Sequence, residues 1–208
     1  MDSLSQNRLH SEQKVPEFSL RGNRFKPLSW EKMSPEQRDM TRAVLGGKRG
    51  NMQGPYNVLL HSPEVGQLAQ QFGAHTRFNS SLPLALNELA ILLIARDWTA
   101  QFVWWAHRRI AEEAGLTIEL IEAIASQTPP PKDLSDEVDA VYKFCSELIQ
   151  TRAVSDDRFE KVRVLFTERG VVDLMATMSY YTLVCMSLNV DGYPLPDGVS
   201  PELAPRKQ

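Results

Sequence analysis

The chain has 208 residues, of which 42% are hydrophobic and 24% charged, and these values are typical of a globular protein rather than a disordered one. The formal net charge of −3 offers no basic surface that would indicate binding to nucleic acid or to an anionic membrane. The only cysteines, Cys145 and Cys185, cannot build a disulfide framework and fit a reducing compartment.

Two features of the sequence argue against export and against membrane insertion. The first residues are polar and contain no apolar signal region. The longest uncharged run lies between Asp173 and Asp191, and it falls short of the roughly 20 apolar residues that a membrane span needs. We therefore expect a cytoplasmic protein with a small-molecule substrate, and neither nucleic acid nor membrane as a partner.

Helix signals divide the chain into an N-terminal arm, a helical domain and a tail. Residues 1–33 show no sustained period, and Phe18, Phe25 and Trp30 could anchor them to a neighbour. Ser34 and Pro35 begin the first helix, which ends at Gly46. Further helices are predicted at about 63–78, 84–96, 97–114, 118–128, 136–152, 156–170 and 172–188. Without strand alternation the predicted class is all-α, with the helical domain at 34–190 and a proline-rich tail at 191–208.

Two predicted helices have more apolar surface than one core contact requires. In the helix at 97–114, one stripe surrounds His107, and Trp98, Phe102 and Trp105 fall on the opposite side. The helix at 172–188 is apolar around its circumference. Either helix could lie at the centre of a bundle, but two in one chain favour an obligate homo-oligomer.

The common motifs of metal, phosphate and nucleophile sites are absent from the sequence. The four histidines are scattered, and there is no glycine-rich phosphate loop, no G-x-S-x-G and no C-x-x-C. Cys145 and Cys185 lie on apolar helix faces, where cysteines usually serve as small core residues. We therefore expect no metal and no cofactor.

Two titratable residues stand in apolar surroundings. His107 lies within an apolar stripe, where it could be a hydrogen-bonded core histidine or a functional group. Glu88 lies in an otherwise apolar run, where it could be a surface charge or a buried carboxylate. If the two side chains meet, they would form a coupled acid–base pair that can move a proton at neutral pH.

Several segments, taken in order, resemble the carboxymuconolactone decarboxylase superfamily, which includes the alkyl hydroperoxidase D proteins. They are Gly54–Glu64, Ser80–Pro83, Asn87–Leu92, Ala95–His107, Ala111–Leu116 and Gly170–Asn189. The resemblance covers roughly residues 50–190 and implies a multi-helix bundle that assembles as a dimer, trimer or hexamer.

In the peroxidase branch of that superfamily, a Glu is followed twelve residues later by the first Cys of a Cys-x-x-Cys-x-x-x-His helix. Laid on this chain, the Glu falls on Glu88, the cysteines on Ala100 and Val103, and the His on His107. Both thiols are missing and both proton-handling residues remain. Peroxide reduction of that type needs a thiolate and a resolving thiol, so we expect no thiol peroxidase activity.

The resemblance thus implies a cofactor-free decarboxylase or lyase acting on an organic acid or lactone. His107 would be the acid or base, and Glu88 would orient it. The candidate substrate-binding residues are Arg77, Gln101, Trp104, Tyr180 and Tyr181. Two alternatives stay open, namely an oligomeric binding protein without turnover and a peroxidase that relays through Cys145 and Cys185.

Overall fold

The structure is a computed structural model that describes residues 15–205. These residues form helices and no strands, so the predicted all-α class is confirmed. The α-helices are α1 (Pro35–Gly46), α2 (Tyr56–Leu59), α3 (Pro63–Phe78), α4 (Leu84–Asp97), α5 (Gln101–Glu113), α6 (Ile118–Ser126), α7 (Asp136–Thr151) and α8 (Asp156–Asp191). A 3-10 turn at Trp30–Lys32 and the single-turn α2 were not predicted, because one turn carries no apolar period.

Three predicted helix starts have the capping contacts that their sequences indicate. At α1, the Ser34 hydroxyl accepts from the Gln37 backbone N–H, and the Gln37 side chain accepts from the Ser34 backbone N–H. Thr117 and Ser135 cap α6 and α7 in the same manner, each through its hydroxyl oxygen. These caps fix the starts of α1, α6 and α7 locally.

Helix α5 begins four residues later than predicted. Thr99 has a positive φ of 49°, and Ala100 is not helical, so the chain turns between α4 and α5. The apolar pattern continues through this turn, because Trp98 and Ala100 also contact the core. The break between the two helices was therefore predicted, but three residues of the turn were assigned to α5.

The break that was predicted near Gly170 lies instead at Thr167. Its φ of 64° and ψ of 176° interrupt α8, and the helix continues on both sides. Gly170 is buried inside the second half, where an added Cβ would lie 2.3 Å from the Cβ of Phe166. Because Gly170 has no side chain, Phe166 can lie close to its backbone, an approach that the break at Thr167 creates.

The helix that is buried all round over most of its length is α4, whereas the sequence indicated α5 and the end of α8 as helices that lie either at the centre of the bundle or between subunits. Every residue from Leu86 to Arg96 is buried, and α4 contacts α5, α6, α7 and α8. The second apolar side of α5 is partly covered within the chain, since the Phe102 ring packs on Tyr193 at 4.6 Å and Trp98, Phe102 and Trp105 are half-buried. The outer side of α8 stays exposed at Val172, Met175, Met186 and Val190.

The described part of the arm lies against the helical body. The backbone N–H groups of Asn23 and Phe25 donate to the Asp191 carboxylate at 3.1 and 2.8 Å. Phe18 and Trp30 pack on a second apolar cluster that includes Met40 and is formed mainly by α1, α2 and the start of α3. The arm and the end of α8 are therefore joined by hydrogen bonds, and the domain boundaries at 33 and 190 stay predictions.

Among residues 15–205, one helix, α8, is long and apolar enough to cross a membrane by length and composition. A buried core helix meets the same criterion, and 61% of the most apolar window of α8 is buried inside the protein. The expectation of a protein that does not bind a membrane stays a prediction.

Candidate active site

A cavity of about 380 Å³ opens between α3, α5, α8 and the turn-rich segment 49–55. Four of the predicted site residues line it: Arg77, His107, Tyr180 and Tyr181. Arginine and amide side chains from α5 and from the turn also line the cavity, together with apolar side chains. These further lining residues include Arg49, Asn51, Gln53, Phe102, Trp105, Arg109, Val184 and Leu188.

The structure brings His107 and Glu88 into direct contact. Nδ1 of His107 lies 2.7 Å from Oε2 of Glu88, and the two residues are 6% and 1% exposed. Glu88 comes from the central helix α4 and His107 from α5, so both backbones are held by packing. Because Nδ1 is occupied by the carboxylate, Nε2 is the ring nitrogen left to exchange a proton with a molecule in the cavity.

Two tyrosines continue the cavity wall from His107. The His107 and Tyr181 rings meet edge to face at 4.9 Å, and Tyr181 meets Tyr180 at 5.3 Å. The Tyr181 hydroxyl is buried without a hydrogen-bond partner in the described part of the chain, whereas Tyr180 interacts with the Tyr56 side chain. Burial raises the pKa of Tyr181, so its hydroxyl stays protonated and can donate a hydrogen bond.

Gly73 of α3 makes room for the Tyr180 ring. A Cβ at this position would lie 2.2 Å from Cζ and 2.3 Å from the hydroxyl oxygen of Tyr180. A glycine inside a helix lowers the stability of the helix, so the presence of a glycine here is explained by its packing against Tyr180. Gly73 therefore determines where the Tyr180 hydroxyl lies.

Arg49 is a cavity residue that the sequence reasoning missed. Its guanidinium stacks over the Tyr56 ring at 5.3 Å, and Nη2 is buried with no hydrogen-bond partner in residues 15–205. Arg49 belongs to a turn-rich segment without apolar period, so the sequence held no signal that this segment folds over the cavity. Its place in the site is set by tertiary packing.

Gln101 and Trp104 were predicted to bind substrate, but neither side chain lines this cavity. Gln101 donates to the Leu203 carbonyl at 2.7 Å and accepts from the Leu203 backbone N–H. The Trp104 indole N–H donates to the Glu202 carboxylate at 3.0 Å. Both side chains hold the C-terminal tail against the start of α5, because they project from the side of the helix away from the cavity.

Sulfur chemistry is not available at the mapped thiol positions. Ala100 and Val103 are buried and carry no reactive group. Burial raises the pKa of both Cys145 and Cys185, which keeps them as thiols. In residues 15–205 no group of three or more His, Cys, Asp and Glu residues could hold a metal ion.

The sequence matches no protein-family model and no curated protein. The solved structures that are similar to this chain include two AhpD-like proteins. One is an AhpD-like protein of unknown function from Agrobacterium tumefaciens, suggested to act in antioxidant defence, with 15% identity and a TM-score of 0.59 over 69% of this chain and 99% of that one. The other is the alkylhydroperoxidase AhpD core of an uncharacterized peroxidase-related protein from Ralstonia eutropha, with 16% identity and a TM-score of 0.68 over 86% of this chain and 95% of that one. At these identities the likeness concerns the fold, and the chain has the AhpD-like helical fold that the sequence resemblance predicts.

Proposed function

We propose that the protein is a cofactor-free enzyme that acts on a small organic acid or lactone by acid–base catalysis. The observation that carries the proposal is the buried His107–Glu88 contact at the wall of a cavity. A carboxylate that holds one ring nitrogen fixes the tautomer and orientation of the imidazole, and the other nitrogen can then take or give a proton.

A decarboxylase or lyase reaction uses this pair without a thiol. When the bond between a substrate carbon and its carboxylate breaks, carbon dioxide leaves and the electron pair stays on the carbon as a carbanion or enolate. The protonated His107 then gives its Nε2 proton to that carbon, and Glu88 stabilises the charged ring before the transfer. General acid–base catalysis of this kind typically accelerates a reaction by about 10²–10⁴-fold.

The two alternatives lead to different observations. A thiol peroxidase would need a thiolate, and the raised pKa values of Cys145 and Cys185 argue against one. A binding protein without turnover would hold ligands in the cavity and leave them unchanged. The name "peroxidase-related" belongs to the Ralstonia protein, and this chain carries Ala100 and Val103 at the mapped thiol positions.

The experiment is a turnover screen with small organic acids and lactones, followed by proton NMR and by carbon dioxide release. We expect His107→Gln to lower turnover by about 10²–10⁴ while the fold persists, because Gln keeps one donor and much of the shape. His61→Gln is the matched control, since His61 is exposed and outside the cavity. Full activity of His107→Gln, or a collapse of its thermal midpoint, would contradict the proposal.

We also propose that the protein is a homo-oligomer. Helices α3 and α8 contact each other and carry large apolar side chains that are exposed in the single chain. On α3 these side chains are Val65, Leu68 and Phe72, which follow one another at helical spacing. A second copy of the chain would cover them.

A further inference from the structure

We propose that Arg49 and Arg77, together with the Tyr181 hydroxyl, form a carboxylate-binding subsite in the cavity. The substrate class is then an organic acid with an aromatic or unsaturated body, whose carboxylate is anchored at the arginines. This inference rests on the proposed function and adds the group that the site recognises.

The charge of the cavity lining supports an anionic ligand. Three arginines line the cavity, and its lining in the described chain contains no Asp or Glu. Arg109 is 81% exposed at the side chain and pairs with Glu113 at 3.3 Å, so its charge is already compensated. The ion pairs found in residues 15–205 include neither Arg49 nor Arg77. Two uncompensated guanidinium groups therefore face one enclosed space.

The unpartnered polar atoms point to an oxygen-bearing ligand. Nη2 of Arg49 and the hydroxyl of Tyr181 are buried without partners in the described chain. Each such group costs roughly 1–3 kcal/mol when it stays unpaired, so proteins seldom keep two of them at one cavity without a ligand. A carboxylate has two oxygens and about four acceptor positions, and it would satisfy an arginine and a phenol together.

The geometry of the donors favours a carboxylate bound in a defined orientation. Stacking on Tyr56 holds the plane of the Arg49 guanidinium, and a planar fork matches the two oxygens of a carboxylate. Because burial raises its pKa, Tyr181 is a neutral donor at physiological pH and does not repel the anion.

The rest of the lining suits a flat apolar body. Phe102, Trp105, Val184 and Leu188 line the same cavity, whose volume of about 380 Å³ accommodates an aromatic ring with a short side chain. Aromatic walls favour stacked or edge-to-face contact with another ring. The ligand would therefore have a charged end at the arginines and an apolar body.

The anchored carboxylate is a binding group that stays on the substrate, so a carboxylate that leaves as carbon dioxide would be a second one, next to His107. Two guanidinium groups stabilise a carboxylate equally before and during the reaction, so they contribute to binding and little to the chemical step. Loss of Arg49 is therefore expected to raise KM and to leave kcat nearly unchanged. Loss of His107 is expected to lower kcat.

The test is titration calorimetry with benzoate, phenylacetate and cinnamate, and with their neutral amides. We expect the carboxylates to bind the wild type and the amides to bind more weakly. Arg49→Gln and Arg77→Gln should each lose carboxylate affinity by roughly 10- to 100-fold, the value of a charge-assisted hydrogen bond. Arg42→Gln is the matched control, because Arg42 also stacks on an aromatic ring, at 5.0 Å from Trp30, and does not line the cavity.

Tyr181→Phe gives a second readout that a purely structural role would not produce. It removes an unpartnered buried hydroxyl, so carboxylate affinity should fall while the thermal midpoint is kept or rises. If Arg49→Gln does not fold, Arg77→Gln and Tyr181→Phe still test the subsite.

Three results would overturn the inference. They are equal binding of acids and amides, unchanged carboxylate affinity in the arginine variants, and binding of inorganic phosphate without binding of any carboxylate. His107→Gln separates the inference from the proposed function, since it should bind the carboxylates like the wild type. Carboxylate binding without turnover in the screen would support the subsite and contradict the enzyme.

Discussion

Glu88 Oε2 and His107 Nδ1 lie 2.7 Å apart, although the two residues are separated by 19 positions and belong to different helices. The carboxylate comes from the buried part of helix α4, and the imidazole comes from the helix that follows it. A buried carboxylate loses its hydration and needs a partner of complementary charge or hydrogen bonding. The contact is therefore a stability feature as well as a candidate catalytic one.

The first prediction separates these two roles by a double-mutant cycle. His107→Leu leaves Glu88 buried without its partner and should lower the free energy of unfolding by roughly 3–5 kcal/mol. Adding Glu88→Leu removes that charge and should restore much of the loss. Urea unfolding of the four proteins measures the coupling. Additive losses would show that the two side chains do not interact in solution.

Glu88→Gln provides the functional counterpart of that cycle. It keeps a hydrogen-bonding side chain beside His107 and removes the charge. We expect turnover to persist with an altered dependence on pH, whereas His107→Gln should lower it at every pH. A complete loss of turnover in Glu88→Gln would assign the chemical step itself to the carboxylate.

A second prediction concerns thiol chemistry. Hydroperoxide should not be turned over with a dithiol reductant, because Ala100 and Val103 replace both thiols and burial raises the pKa of Cys145 and Cys185. The measurement is peroxide consumption in the presence of dithiothreitol. Robust turnover that is lost in Cys145→Ser or Cys185→Ser would overturn this prediction and with it the lyase proposal.

A third prediction uses the carboxylate that joins α8 to the segment before α4. Asp173 Oδ2 accepts from the Ser81 backbone N–H at 2.7 Å and from the Ser81 hydroxyl at 2.6 Å. Burial raises the pKa of Asp173, but the Ser81 hydrogen bonds and the neighbouring charges of His75 and Arg169 outweigh it and lower the pKa below its usual value. The ionised form is thus stabilised by folding.

The sign of the pH dependence follows from that lowered pKa. Stability from Asp173 is present above the pKa of the unfolded chain and is lost as pH falls through the folded value. Asp173→Asn should therefore cost about 1–3 kcal/mol near pH 7 and less near pH 3, measured by urea unfolding. The exposed Asp133→Asn is the control. A deficit of the same size at both pH values would show that packing, and not charge, is lost.

A fourth prediction concerns the contact between Gly73 and the Tyr180 ring. Gly73→Ala places a methyl group 2.2 Å from Cζ of Tyr180, so the ring must move. Overpacking of this kind typically costs about 1–3 kcal/mol, which exceeds the gain of up to about 1 kcal/mol from better helix propensity. Gly46→Ala is the matched control, because no atom lies within 4 Å of its Cβ position. Equal effects of the two substitutions on the thermal midpoint would contradict the close contact.

Local signals made the helical class and most helix starts predictable, and tertiary packing decided the rest. The Ser34 and Ser135 caps act through neighbouring backbone atoms, so their sequence patterns are sufficient. The central position of α4 was not predictable in this way, because an apolar run alone does not say which neighbours cover it. Thr99 and Thr167 break helices through positive φ values that their residue type does not favour.

The candidate site shows the same division. His107, Glu88, Arg77 and the two tyrosines were identified from the resemblance and from their apolar surroundings. Arg49 was missed because the turn that carries it has no period, and only the folded chain brings it to the cavity. Gln101 does not line the cavity because it binds the C-terminal tail, and the sequence did not show that the tail returns to the start of α5.

The last prediction concerns assembly through the outer sides of α3 and α8. Leu68 is 70% exposed, Phe72 and Met175 are also exposed, and α3 contacts α8. Large exposed apolar patches are uncommon on monomers and often mark an interface. The exposed side chains of α3 and α8 therefore indicate a contact between copies of the chain. Sedimentation at micromolar concentration should therefore show a species larger than the 23.5 kDa chain.

Leu68→Glu and Met175→Glu should each shift the assembly towards the monomer, because a charge would be buried without a partner. Ile118→Glu, at the exposed start of α6, is the control and should leave the assembly intact. A wild-type protein that sediments only as a monomer would contradict the interface and leave this patch open to a different partner.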